Sequence, residues 1–344
     1  MSDQLSRRDA LRLGLAATVF GLGWPTPPAL GEAPDRPTAR PRRRALRLAY
    51  LTDSHIQPER RAYEGVVACL RHLMAQEDRP ELVLTGGDLI MDAMDADEAR
   101  TRVQWDLWLK VLRDECPLPV QHCLGNHDIW GWNKERSGTT GSEPMWGKRW
   151  ACDLLHLERP YYTFDRAGWK FVVLDSVQPL NNGYVGGIDN TQFDWLREQL
   201  ERTPKDAHVL VVSHIPILCA AMLVADAAPL EEGGYRVGGF AQVMDFQRIV
   251  DLFSRHPNVR AALSGHIHMV DRVDYNGVSY MCGGAVSGMW WRGRERYLKG
   301  LAERAKPGDP PRPPRADEGY NLVDLYDDGT VERQYVTYGW TAAE

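Results

Sequence analysis

From Leu46 the chain repeats one unit: an apolar run of strand length ending in polar residues, then an amphipathic stretch of helical period. "LRLAYLTDSH" is followed by "AYEGVVACLRHLMAQ", "PELVLTGGDL" by "DEARTRVQWDLWLKVLRD", and a third apolar run, "LPVQHCLGNHD", closes the series. Strands joined through helices run parallel in one sheet, because the crossover returns the chain to the same end. Such a sheet holds its ligand crevice off the carboxyl ends of the strands. The polar residues fall at those ends.

Beyond Trp130 the pattern loosens. "WGWNKERSGTTGSEPMWGKRW" is polar, Gly-rich and Trp-studded, and reads as a long loop or cap over 130–160. "YYTFDRAGWKFVVLDS" predicts a hairpin turning near Ala167–Gly168, "DNTQFDWLREQLER" a helix, and "HVLVVSHIPIL" a buried strand ending in His214. A further helix, "VMDFQRIVDLFSRH", leads to two strands around His266 and His268. Residues 292–315 are basic and Pro-rich and read as a solvated excursion, and "GYNLVDLYDDGTVERQYVTYG" predicts a closing hairpin turning at Asp327–Asp328–Gly329. The class is α/β, in one domain over 45–344.

The N-terminus stands apart. Arg7 and Arg8 precede an apolar stretch too short and Gly-rich to span a bilayer comfortably, and Gly31–Ala33 offers small residues for cleavage. Residues 1–33 thus resemble a twin-arginine export signal, with 34–44 as a Pro/Arg-rich linker. The expected location is periplasmic or secreted, the expected partner the export machinery, and no transmembrane anchor is expected after cleavage. The six cysteines show no C-x-x-C spacing; Cys123 and Cys219 sit in apolar surroundings and read as small core residues. Export would permit a disulfide, but its pairing is not legible in the sequence. A net charge of −6 argues against stable nucleic-acid binding, which needs dense Lys and Arg. Oligomeric state leaves no sequence signal.

Five of the ten histidines gather at strand ends: Asp53-x-His55, Gly87-Asp88, Gly125-Asn126-His127-Asp128, His214 and Gly265-His266-x-His268. Singly, each has a bland reading as a turn, a cap or a hydrogen-bonded histidine. Together, carboxylate, imidazole and amide make a donor set for borderline transition metals such as Mn, Fe or Zn. In an extended segment, residues two apart project to one side, so Asp-x-His and His-x-His can each present two donors.

This ordered set resembles the calcineurin-like metallophosphoesterase superfamily from about Leu46 to about Gly284. The resemblance implies a four-layer α-β-β-α sandwich with two central mixed sheets and a centre of two divalent or trivalent metal ions. Carried over by motif, Asp53, His55, Asp88 and His268 would hold one ion. Asp88, Asn126, His214 and His266 would hold the other, with Asp88 bridging. Two cations about 3.5–4 Å apart can share a hydroxide and clamp an in-line displacement at phosphorus. His127, beside a ligand but free to donate, would protonate the leaving group.

Departures narrow the branch. Met91 stands where purple acid phosphatases carry a metal-binding Tyr, and Leu124 where phosphoprotein phosphatases carry an Arg. Asp92 is one residue out of register for the usual carboxylate partner of the catalytic histidine, and neither it nor Asp128 is singled out for that role. The chain looks closest to the cyclic-nucleotide phosphodiesterase-like, exported small-substrate branch, which includes monoesterases and diesterases. Trp130, Trp132, Trp146, Trp150, Trp290 and Trp291 read first as packing for their loops and second as an apolar wall beside the metals. Alternatives are a non-catalytic metal-binding scaffold on the same fold, or a nuclease.

Overall fold

The computed structural model describes residues 42–225, 228–230, 233–305 and 315–342. The export signal read at 1–33 and the linker up to residue 41 lie outside them, as do residues 306–314 of the basic excursion. The first half runs through β1 (Arg44–Leu51), α1 (Ala62–Met74), β2 (Leu82–Gly86), α2 (Glu98–Glu115) and β3 (Val120–Cys123). Short helices α3 (Lys134–Ser137) and α4 (Arg149–Leu154) punctuate the loop that follows. The hairpin β4 (Tyr162–Arg166) and β5 (Trp169–Val173) turns at Ala167–Gly168, as the sequence predicts, and β6 (Val177–Leu180) and β7 (Gly183–Gly186) form another. Next come α5 (Asn190–Arg202), β8 (His208–Val212), α6 (Ala221–Ala225), β9 (Ala228–Pro229), β10 (Tyr235–Arg236) and α7 (Phe246–Ser254). The chain finishes with β11 (Val259–Ser264), β12 (Val270–Tyr275), β13 (Val278–Gly283), α8 (Arg294–Arg304), β14 (Gly319–Tyr326) and β15 (Val331–Thr337).

Two mixed sheets result, ordered β15-β14-β1-β2-β3 and β12-β13-β11-β8-β5-β4. Within them β1, β2 and β3 pair in parallel, as do β5, β8, β11 and β13; antiparallel strands close both edges of the second sheet and one edge of the first, whose other edge is the parallel β3. Period-two alternation sorts the side chains into layers. Leu46, Leu48 and Tyr50 of the first sheet meet Phe171, Leu210, Val212 and Leu263 of the second in the core between the sheets. Their strand neighbours Ala49, Leu51 and Val83 turn outward onto α1 and α2, and Val172, Val209 and Val211 onto α5 and α7. The architecture is the expected four-layer sandwich.

Two stretches gain detail from the structure. The loop over 130–160 is packed down by its indoles, the first role read for them: Trp130, Trp132 and Trp150 are buried, with Trp130 edge-on to Trp150 at 4.9 Å. Lys148 is pinned there by the buried Asp175 carboxylate and the Val177 carbonyl. Within the basic excursion, Arg294–Arg304 forms a helix anchored through buried Tyr297. Among the described residues no helix is long and apolar enough to cross a membrane.

Candidate metal centre

Five loops, each leaving the C-terminal end of a strand, carry their polar residues to one place. Asp53 and His55 follow β1, Asp88 follows β2, and Asn126 and His127 follow β3; His214 follows β8, and His266 and His268 follow β11. The backbone turns sharply to deliver them: Asp53 (φ 55°), His55 (43°), Asp88 (52°), His266 (69°) and His268 (52°) are all left-handed. Non-glycine residues pay of order 1–3 kcal/mol each for such conformations, which collect at functional sites. Neighbouring glycines leave the room required. A Cβ on Gly125 would lie 2.1 Å from Asp88 Oδ1, and one on Gly265 1.8 Å from Thr52 Oγ1.

The donor atoms fall into two groups. In the first, the Nε2 atoms of His55 and His268 approach to 3.0 Å, and Asp53 Oδ1 lies 3.2 Å from His268 Nε2 and 3.8 Å from His55 Nε2. In the second, His214 Nε2 lies 3.2 Å from His266 Nδ1, 3.1 Å from Asn126 Oδ1 and 3.2 Å from Asp88 Oδ2. Asp88 Oδ2 is also 3.6 Å from His55 Nε2, so this carboxylate reaches into both groups.

The chemistry of these contacts tests whether a cation fits. A carbonyl only accepts, so His268 Nδ1, 2.6 Å from the Gly288 carbonyl, and His214 Nδ1, 2.8 Å from that of Gly86, each donate a proton. A ring that is neutral then aims its Nε2 lone pair into the cluster. Lone pairs 3.0–3.2 Å from other nitrogens and from carboxylate oxygens repel unless positive charge lies among them. Carbonyl-anchored imidazoles with buried carboxylates are the arrangement that metal ligands adopt. The residues fit metal ions.

Electrostatics point the same way. Burial pushes Asp53 and Asp88 up, yet nearby imidazoles outweigh it and hold both carboxyls below the usual range, Asp88 well below. Burial and the neighbouring His127 depress His55 strongly, and burial with His214 takes His266 down to about 3. Only His214 moves up, to about 9, where the Asp88 carboxylate overrides the cost of burial. Two buried carboxylates call for positive charge, which a proton on His214 or a bound metal ion supplies.

His127 is half-buried and differently held. Its Nδ1 makes a short hydrogen bond to the Met91 carbonyl, and its Nε2 is left 4.0 Å from Asp88 Oδ2. It also falls within a possible metal-holding group with His55 and Asp88. Neither carboxylate considered from sequence orients it. Asp128 is buried and accepts the amides of Leu89, Ile90 and Gly125, bracing the loop, while Asp92 accepts the amide of Asp95. A backbone carbonyl takes the place of the usual carboxylate, and no residue type could have announced it.

A cleft of about 190 Å³ opens over Asp88, Asn126, His127, His266 and His268. Of the six tryptophans named from sequence only Trp290 lines it; Trp146 packs partly buried and donates to the Gly131 carbonyl. The opposite wall comes from Tyr184 on the β6–β7 hairpin and from Met222 and Phe240, none of which the sequence flagged. Tyr184 stands edge-on to His266 at 5.9 Å. A second possible metal-holding group, Cys219, Asp271 and Cys282, lies outside this cleft. Its carboxylate is already engaged, accepting from the Cys219 thiol and the Ala220 and Ala221 amides at the start of α6.

Comparison with known proteins gives the family. The sequence profile of the calcineurin-like phosphoesterase family matches residues 46–270. A probable cyclic nucleotide phosphodiesterase of Rhodococcus erythropolis is 26% identical over 290 residues, covering 83% of this chain and 81% of that protein. The 3',5'-cyclic adenosine monophosphate phosphodiesterase of Pseudomonas aeruginosa is 24% identical over 230 residues, covering 64% and 69%. Among solved structures, a dimetal phosphatase from Danio rerio superposes with a TM-score of 0.48 at 18% identity, over 86% of this chain and all of that one.

Proposed function

The chain belongs to the calcineurin-like phosphoesterase family and is a metal-dependent phosphoester hydrolase, and from that premise we propose that it uses two metal ions to cleave small organic phosphodiesters. One observation carries the reading: seven donor side chains in two groups, sharing the Asp88 carboxylate, beside a cleft that also exposes the His127 imidazole. Asp53, His55, Asp88 and His268 would hold one ion, and Asp88, Asn126, His214 and His266 the other. When bound, such ions supply Lewis acidity toward the phosphoryl oxygens and lower the pKa of bound water. Mn, Fe and Zn all suit the donors.

The protein's own part follows from its contacts. The Met91 carbonyl fixes the His127 ring, and His127 gives the proton at Nε2 to the departing oxygen as the P–O bond breaks. Tyr184, Phe240 and Met222 border the cleft and limit the substrate to a small molecule. The names of the two cyclic nucleotide phosphodiesterase relatives support a diester over a monoester. The test compares bis(p-nitrophenyl) phosphate with p-nitrophenyl phosphate on metal-loaded protein, with and without added Mn. The diester is expected to turn over faster and to depend on metal. A faster monoester overturns the diester assignment, and no turnover of either by fully loaded protein favours the scaffold alternative.

The export reading belongs to this proposal too: a twin-arginine signal at 1–33 would send the protein to the periplasm or outside the cell. Replacing Arg7 and Arg8 together with Lys should retain it in the cytoplasm, because Lys keeps the charge and loses the guanidinium fork. Cell fractionation checks this, and normal export of the double variant removes the assignment.

A further inference from the structure

The segment from Val286 to Trp291 runs along both ligand loops of the first donor group. The Val286 amide donates to the Thr52 carbonyl at 2.9 Å and the Ser287 amide to that of Asp53 at 3.1 Å. Trp291, buried to 1% exposure, donates its indole Nε1–H to the carbonyls of Ser54 (3.0 Å) and His55 (3.1 Å). The same segment grips the other loop. Gly288 offers its carbonyl to His268 Nδ1 at 2.6 Å, and the Trp290 indole stacks on the His268 ring at 3.9 Å and 21°. Trp290 also lies 6.1 Å from the His55 ring.

Both indoles are held at a cost. Trp290 (φ 57°) and Trp291 (φ 59°) are consecutive left-handed residues, a conformation that bulky side chains adopt only when their surroundings impose it. Those surroundings are identifiable. Arg60 donates to the Trp290 carbonyl at 3.1 Å, Tyr297 of α8 stacks beyond the Trp290 ring at 5.8 Å, and Trp291 lies across Gly65 of α1, where a Cβ would fall 2.3 Å from the indole. The His268 ring covers one face of Trp290, so that face is closed to a substrate. Its stacking is spent on a donor.

Among the described residues the second donor group makes no direct hydrogen bond to this segment, and its link to it runs through Asp53 and the shared Asp88. His214 is tied to Gly86, the His266 amide donates to the Asp53 carboxylate, and the His127 amide donates to Asp88 Oδ1 at 2.8 Å. We propose that Trp290 and Trp291 are positioning residues for Asp53, His55 and His268, so that this strap sets the metal affinity of one of the two groups far more than that of the other. The inference rests on the two-metal reading above.

The test is calorimetric titration of the metal-free full chain with Mn, which on that reading shows two binding steps per chain. Trp291→Phe keeps the ring and removes the N–H donor. Trp290→Ala removes the stack, and Trp290→Phe restores it. Trp291→Phe and Trp290→Ala should each weaken one step by about 10–100-fold, the usual effect of losing a ligand's outer support, and leave the other within a few-fold of the parent. Trp290→Phe should bind like the parent, which a mere packing role for the indole does not require. Should Trp290→Ala fail to fold, Trp291→Phe and Trp290→Phe carry the test. If the parent binds two ions and the variants weaken both steps alike, or neither, this proposal fails alone. If the parent binds one ion, the two-metal reading fails and takes the proposal with it.

Discussion

Replacing His127 with Ala should slow hydrolysis of simple alkyl phosphoesters by about 10²–10⁴-fold, the usual scale of general acid catalysis, and slow nitrophenyl esters much less. An alkoxide leaves poorly without a proton, whereas a nitrophenoxide leaves readily, so the loss should track the basicity of the leaving group. The structure gives this experiment its competing outcome. His127 lies with His55 and Asp88 in a group whose donor atoms are close enough to hold an ion. If it is a ligand, both leaving groups suffer equally and bound metal falls. The short hydrogen bond from Nδ1 to Met91 and the half-buried ring favour the acid, which must reach the substrate. Rates for both ester types and metal content, measured on one preparation, decide the matter.

Asp88→Asn should lose most of both metal ions and reduce activity by about 10³-fold or more, whereas Asp53→Asn should deplete mainly one. A bound metal is worth several kcal/mol of transition-state stabilisation, and each 1.36 kcal/mol is tenfold in rate. The asymmetry follows from position: Asp88 Oδ2 is 3.6 Å from His55 in one group and 3.2 Å from His214 in the other, while the imidazole nitrogens beside Asp53 Oδ1 are those of His55 and His268, both in the first group. Elemental analysis of purified variants reads the result. Full occupancy by two ions in both variants would show that the carboxylate does not bridge. Asp53 also accepts the His266 amide, so the Asp53 variant calls for a folding check alongside.

The sequence by itself determined the class of fold and the membership of the site. Strand and helix periods are local properties, and the parallel order follows from their alternation, so both sheets' central strands were legible before any contact was known. Every proposed donor was legible too: singly each suits a turn or a cap, but five such strand exits in one ordered series do not follow from turn preference. What the sequence left open is non-local. That His214 meets Asn126 and Asp88, that His268 meets His55, and that Asp88 reaches both groups depend on how two sheets stack. The tryptophans were legible in part: packing was read for all six, and holds at Trp130 and Trp150, but the stack of Trp290 on His268 was not foreseen. Hardest of all to foresee were the backbone groups. The carbonyls of Met91, Gly86 and Gly288 orient three of the five histidines, and every residue carries a carbonyl. Only the folded chain selects which ones count, because a carbonyl's role is fixed by where the tertiary structure leaves it and not by the side chain beside it.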